Sequence, residues 1–290
     1  MPDAQEFLAD GVRAERAGAL DRALEAYEAA AESADDAPTR IESLRRLADV
    51  YRSRCEWDQA LEAARLAQVV AHAAKEPQLL AEAAIAEANV LISQGNFTQA
   101  IPMLDTIAGS DLEPRLRAIA LQNLGSIYAQ TGQPLTAERA FRESLANFNR
   151  AGYARGEAIA LNNLGRLALD ANDAAAARPL LERALYLARD QEDSELAALA
   201  GLNLASALCL AGDNDRAQDL AMAALGYFAG CQNAWREIEC LRLIGDINVR
   251  CEDISNAARC YDLALKLSEQ IGSEAEIRLS TERLHALKTR

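Results

Sequence analysis

The sequence predicts an all-α fold: a right-handed α-solenoid of about seven helical hairpins followed by a C-terminal capping helix. Three observations carry that prediction. Ala118-Ile119-Ala120-Leu121-Gln122-Asn123-Leu124-Gly125 returns forty residues later as Ala158-Ile159-Ala160-Leu161-Asn162-Asn163-Leu164-Gly165, and self-similarity at a period of this size marks stacked-repeat architectures. Seven alanines (Ala23, Ala60, Ala100, Ala137, Ala177, Ala217 and Ala257) each follow a small residue by twelve positions, namely Gly11, Ala48, Ala88, Gly125, Gly165, Ala205 and Gly245. Within each unit the apolar residues recur at three- and four-residue spacing, as in Leu44, Leu47, Ala48 and Tyr51, which is the stripe of an amphipathic helix.

Each unit therefore reads as a helix A, a reversal and a helix B. Antiparallel helices approach closely only where side chains are small, so the Gly/Ala on helix A and the marker alanine on helix B locate the crossing. Leu47, Leu124, Leu164, Leu204 and Ile244 on helix A, with Tyr27, Phe141, Leu181 and Tyr261 on helix B, fill the space around it. Five residues before a marker alanine stand Gly18, Gly95, Gly132, Gly212 and Asn172. These tolerate φ > 0 and so end helix A and let the chain turn back. The repeats fall at about residues 4–36, 40–75, 78–109, 114–151, 154–191, 194–230 and 234–271, in one array over 1–290. Ser273-Glu274-Ala275-Glu276 reads as a capping box that opens a last helix over 273–288. That helix has His285 in the slot of the small residue and Glu276, Arg278, Glu282, Arg283 and Lys288 turned to water.

Half of the residues are apolar and only 5% aromatic, so the core is built from Ala and Leu. With 44 acidic against 30 basic residues the net charge is −14, and no Lys/Arg stripe stands out. Recognition of nucleic acid or an anionic membrane through a charge patch is thereby disfavoured. No apolar run approaches the ~20 residues of a membrane span, and the N-terminal stretch has neither the basic nor the apolar segment of a secretory signal. Six cysteines with no CxxC pair fit a reducing, cytoplasmic location.

Enzyme chemistry finds no footing. His72 and His285 are the only histidines and lie far apart, so no His-based triad or metal cluster is expected. There is no GxGxxG and no P-loop, and no cofactor is expected. Cys231, Cys240, Cys251 and Cys260 follow one another at spacings of 9, 11 and 9, which match no zinc signature. Cys240 and Cys260 fall on helix faces where a small hydrophobe packs, and Cys209 falls on a wall position. Trp57 and Trp235, near a hairpin turn and a helix start, are expected in local packing; exposed, either could anchor a partner.

The pattern Leu44, Leu47-Ala48, Tyr51, Ala60 and Ala67, met again by Leu124-Gly125, Tyr128, Ala137 and Phe141, resembles the tetratricopeptide repeat (TPR) family over roughly residues 4–288. The usual unit of that family has about 34 residues, and most here have forty. The longer unit, Leu-Asn-Asn-Leu-Gly at 161–165 and Ala177-Arg178-Pro179-Leu180 are similar to the long-repeat branch that includes kinesin light chain and Rap-type bacterial regulators. Pro102 occupies the slot of Pro179, early in helix B, where proline forfeits few backbone bonds.

The resemblance implies a non-enzymatic interaction module that binds a peptide segment of a partner along a concave face lined by helix A. The residues in that phase are Gln122, Asn123, Ser126, Asn162, Asn163, Arg166, Asn203 and Ser206. Asn123, Asn163 and Asn203 recur at steps of forty and are expected to form a ladder, since an amide offers both donors and an acceptor to a peptide backbone. Arg45, Asp49, Arg242 and Asp246 supply flanking charges toward the ends. The expected partner is a protein or peptide, with no nucleic acid and no membrane. A peptide- or small-ligand-responsive regulator is one alternative, although Rap-type regulators carry an N-terminal helical bundle and the first repeat here starts at about Gln5. A structural assembly factor, self-associating through end repeats or the convex face, is the other.

Overall fold

The computed structural model describes residues 3–288. Fifteen α-helices run through them: α1 (Ala4–Arg16), α2 (Leu20–Ser33), α3 (Ala37–Ser53), α4 (Trp57–Ala74), α5 (Pro77–Ser93), α6 (Phe97–Ala108), α7 (Pro114–Gln130), α8 (Pro134–Ala151), α9 (Ala154–Asp170), α10 (Ala174–Asp190), α11 (Ser194–Ala211), α12 (Asn214–Gly230), α13 (Ala234–Arg250), α14 (Ile254–Gln270) and α15 (Glu274–Lys288). Each odd-numbered helix packs on the even-numbered helix that follows it, and α15 packs on α14. The chain divides into two compact units, Met1–Gly152 and Tyr153–Arg290. The first is a stack of four hairpins, and the second is a stack of three with α15 as its lid.

The crossings explain the small residues. A Cβ at Gly125 would lie 2.6 Å from the ring of Phe141, and one at Gly245 would lie 2.3 Å from the ring of Tyr261. Real Cβ atoms do not come so close, so only glycine lets these rings lie flat on the facing helix. The partner of the small residue is thus not the marker alanine but the residue four positions after it. Volume is traded across the pair. Glycine faces Tyr27, Phe141, Leu181 and Tyr261, whereas Ala48 and Ala205 occupy slots whose counterparts are Ala64 and Ala221. All of these counterparts are buried.

Every reversal between an A and a B helix turns on a left-handed residue. Gly18, Gly95, Gly132, Gly212 and Asn172 have φ > 0, and so do Cys55 (φ 59°) and Glu252 (φ 63°), whose residue types do not announce it. Lys75, Gly152, Glu192, Gln232 and Gly272 play the same part between hairpins. Helix starts are capped in kind: the Asp36, Asp193 and Asn233 side chains accept from the N–H groups of Thr39, Leu196 and Arg236, satisfying donors that the helix itself leaves open.

Three expectations change. Pro102 and Pro179 are each the sixth residue of their helices, past the first turn, so each removes an interior backbone bond. The capping box at the lid forms by half. The Ser273 hydroxyl accepts from the Glu276 N–H at 3.4 Å, but the Glu276 carboxylate pairs with Arg242 of α13 instead of reaching back. Glu276 is accordingly half-buried rather than turned to water. Arg278, Glu282, Arg283 and His285 are exposed, and the side chain of Lys288 lies outside the described residues. Finally, the 18 residues of α11, with a mean hydropathy of 1.5, are long and apolar enough to cross a membrane by composition. In this fold more than half of them are buried, against α10 and α12.

Candidate functional site

The A helices of the second unit present one polar face. Arg166 and Asp170 on α9, Ser206 and Leu210 on α11, and Glu239, Leu243, Asp246 and Arg250 on α13 are spaced three or four apart, which stacks them on a single side of each helix. Together with Asn203, Cys209 and Arg283 of α15 they line a cavity of about 620 Å³. Leu169 and Val249 add apolar wall.

The charges in this cavity are balanced in number but not all paired. The Arg166 guanidinium lies 3.3 Å from Asp170 and 3.5 Å from Glu239, tying α9 to α13. Asp246 accepts the Tyr261 hydroxyl at 2.6 Å and an ion pair from Arg283 at 3.1 Å. Burial, and then the Asp246 carboxylate, hold the Tyr261 phenol well above its usual range. Burial also pushes the Cys209 thiol up, outweighing the pull of Arg250. Arg250 is exposed and makes no ion pair or side-chain hydrogen bond among the described residues. It is a cation available to a ligand.

Arg166, Asn203, Ser206 and Asp246 of the expected residues are brought together here. The asparagines do not form three equivalent rungs. Asn203 is only 4% exposed and donates to Asn162, also 4% exposed, at 2.9 Å, so these two amides tie α11 to α9. In the first unit Asn123 donates to Asn89 of α5 at 2.7 Å. Asn163, half-buried on α9, makes no side-chain hydrogen bond among the described residues. The difference arises because each amide takes whatever acceptor the neighbouring A helix offers, and that residue is not repeated. Ser206 donates to the Leu202 carbonyl at 3.2 Å and Ser126 to that of Gln122 at 3.1 Å. The Gln122 side-chain oxygen is buried without a partner.

The flanking charges are largely spent within the fold. Arg45 donates to Glu42 at 2.9 Å and to Glu82 at 2.6 Å, Asp49 takes Arg52 at 3.2 Å, and Arg242 is held by Glu276. Asp170, Glu239 and Arg250 were not singled out from the sequence, and Arg283 was expected only to face water, although moving one helical turn from Arg166 reaches Asp170 and one from Asp246 reaches Arg250. Trp235 is exposed on the first turn of α13 and Trp57 is half-buried; neither lines the cavity. Cys55, Cys231 and Cys251 are exposed, and burial pushes the Cys240 thiol up to about 12. Among the described residues no group of three His, Cys, Asp or Glu is placed to hold a metal ion.

A family profile for the tetratricopeptide repeat matches residues 115–190, which span α7 to α10. This stretch carries tetratricopeptide repeats. Solved structures extend the likeness of fold beyond that stretch. BtubC (BKLC) from P. vanneervenii is 19% identical, with a TM-score of 0.58, over 79% of this chain and 92% of that one. The apo form of RapI is 15% identical, with a TM-score of 0.64, over 93% and 98%. A Rap protein complexed with competence and sporulation factor is 16% identical, with a TM-score of 0.63, over 99% and 74%. The kinds of repeat that the sequence resembles are thus among the similar structures. No curated protein sequence matches the chain. Tetratricopeptide repeats typically mediate protein–protein interactions and are usually non-catalytic.

Proposed function

We propose that the protein is a non-enzymatic adaptor that captures a peptide segment of a partner protein in the cavity lined by α9, α11, α13 and α15. The observation that carries this reading is the cavity itself: about 620 Å³ walled by A helices, with alternating charges and a free guanidinium at Arg250. A bound segment would pair a carboxylate with Arg250, exchange side chains into the Arg166–Glu239 and Asp246–Arg283 pairs, and rest its apolar atoms on Leu169, Leu210 and Leu243. Asn163, whose amide is uncommitted, is available to a peptide backbone. The ionic character predicts binding that weakens with salt. A reducing, cytoplasmic setting remains the expected location.

The test is affinity capture from host lysate with wild type, Arg250→Glu and Ser206→Trp, read by mass spectrometry. Ser206→Trp fills the cavity, and Arg250→Glu reverses its free charge. A protein retained by wild type and lost from both variants supports the proposal, and peptides spanning that protein then locate the bound segment. Equal retention by all three removes the cavity from consideration.

A further inference from the structure

One position stands out in the second unit. Four residues before the small crossing residue, Leu161 and Leu241 of the adjoining hairpins are buried leucines, as are Leu44 and Leu121 in the first unit, where Phe7 and Ala84 fill the slot in the other two hairpins; the sixth hairpin has Gly201 there. Leu241 belongs to the same core cluster as Ala264 of α14, and the residue that matches Ala264 in the sixth hairpin is Ala224. Gly201 lies in the interior of α11, and a Cβ placed there would meet nothing within 4 Å. No backbone or steric demand calls for glycine at this point, and glycine weakens a helix interior. Folding alone favours leucine.

The space that leucine fills elsewhere is left open. Ala197, Ala198, Gly201, Ala223, Ala224 and Tyr227 surround a notch of about 210 Å³, larger than the roughly 150 Å³ apolar cavity that takes up benzene. Arg189 and Leu220 line both this notch and a neighbouring cavity of about 630 Å³ between α10 and α12. The larger cavity sets Glu182, Asp190 and Asp219 against Arg189 and Arg216. Arg216 is already held by Asp213 at 3.3 Å and Glu182 at 3.7 Å. Asp190 and Asp219 are exposed and have no cationic partner among the described residues. Beside them Tyr186 is 60% exposed, with the Arg183 guanidinium 5.3 Å above its ring. An apolar hole the size of one side chain thus adjoins two exposed carboxylates that make no ion pair among the described residues, Asp190 accepting only from the Gln191 amide at 3.1 Å, on a chain of net charge −14.

We propose that this second surface, on α10, α11 and α12, docks a basic segment of a partner protein, which inserts one leucine- or methionine-sized side chain into the notch at Gly201 and sets a lysine or arginine against Asp190 and Asp219. The apolar insertion supplies the anchor, and the acidic surround selects and steers the basic partner. The site shares helix α11 but no lining residue with the cavity of the adaptor reading, so either stands or falls without the other.

The experiment uses the full chain and a phage-displayed library of random twelve-residue peptides, selected on wild type and depleted on Gly201→Leu. Gly201→Leu installs the residue of the neighbouring repeats and is expected to melt no lower than wild type. Ala223→Leu, which closes the mouth from the exposed side of α12, is the second variant should the first disturb folding. Clones that carry an apolar residue beside lysine or arginine, bind either folded filled variant at least tenfold more weakly, and weaken again on Asp190→Asn with Asp219→Asn support the proposal. Recovery of no discriminating clone, of clones that bind the filled variants as well as wild type, or of acidic clones overturns it.

Discussion

The two units use the polar residues of their A helices differently. In the first unit they bind one another. Glu82 takes Arg45 at 2.6 Å and Arg115 at 2.8 Å, and Asn123 holds Asn89. Even the 9%-exposed Glu87 of α5 is covered by Arg65 and Gln68 of α4. In the second unit such ties also form, Asn203 to Asn162 at the floor and Arg242 to Glu276 at the lid, but Arg166, Asp246, Arg250 and Arg283 border open space. The same repeat phase therefore makes struts in one unit and a lined cavity in the other.

The features that both units share should be the most costly to lose. Gly125→Val in the first unit and Gly165→Val in the second push a branched side chain into Phe141 and Leu181, where even a Cβ would stand 2.6 Å and 2.5 Å away. Each should destabilise by roughly 1–3 kcal/mol or more, measured by urea unfolding. Tolerance of both substitutions would show that the crossings are looser than drawn.

The struts should matter next. Glu82→Ala takes the carboxylate from Arg115 and leaves Arg45 with Glu42 alone, and should cost about 1 kcal/mol, read from the same unfolding curves. Arg166→Ala removes a pair whose cation is half exposed, and should move stability by less than about 0.5 kcal/mol while weakening capture of the partner. If the two substitutions cost the same, the distinction between strut and lining fails.

Between these lies a helix cap of the second unit that an ion pair reinforces. Asp193 is partly buried, which raises its pKa, but the Leu196 N–H and the Arg155 guanidinium at 2.7 Å outweigh that and hold it below the usual carboxylate range. A depressed carboxylate stabilises the fold above its unfolded pKa of about 3.9, and the contribution disappears as pH falls through the folded value. Asp193→Ala should cost about 1 kcal/mol at neutral pH, as the loss of a helix cap does, and the gap to wild type should close in acid. A gap that persists at the lowest pH where the protein stays folded would assign the cost to packing instead.

What the sequence made legible was carried by residue size. Gly125 and Gly245 announce their crossings because no other residue fits under a ring, and Leu124 and Leu164 announce the core because burial selects them. Conformation and pairing were harder to read. Cys55 and Glu252 sit in the left-handed region because the hairpin demands it at that slot, not because their side chains prefer it. Which of two adjacent asparagines would tie two helices depended on a neighbour some forty residues away. Arg250 escaped notice, and Arg283 was read only as facing water, because each stands at a helix end or lid, where charge is ordinarily just solvated.

The left-handed residues Gly152, Glu192, Gln232 and Gly272 recur at intervals of forty, and each hairpin between them holds its own reversal and its own crossing. Closure is therefore local to the hairpin rather than a property of the array. Excising or duplicating one forty-residue block would rejoin the chain in register, leaving every remaining crossing with its partner. In such a chain length is a modular quantity, and a new hairpin has only to fit the neighbours on either side of it.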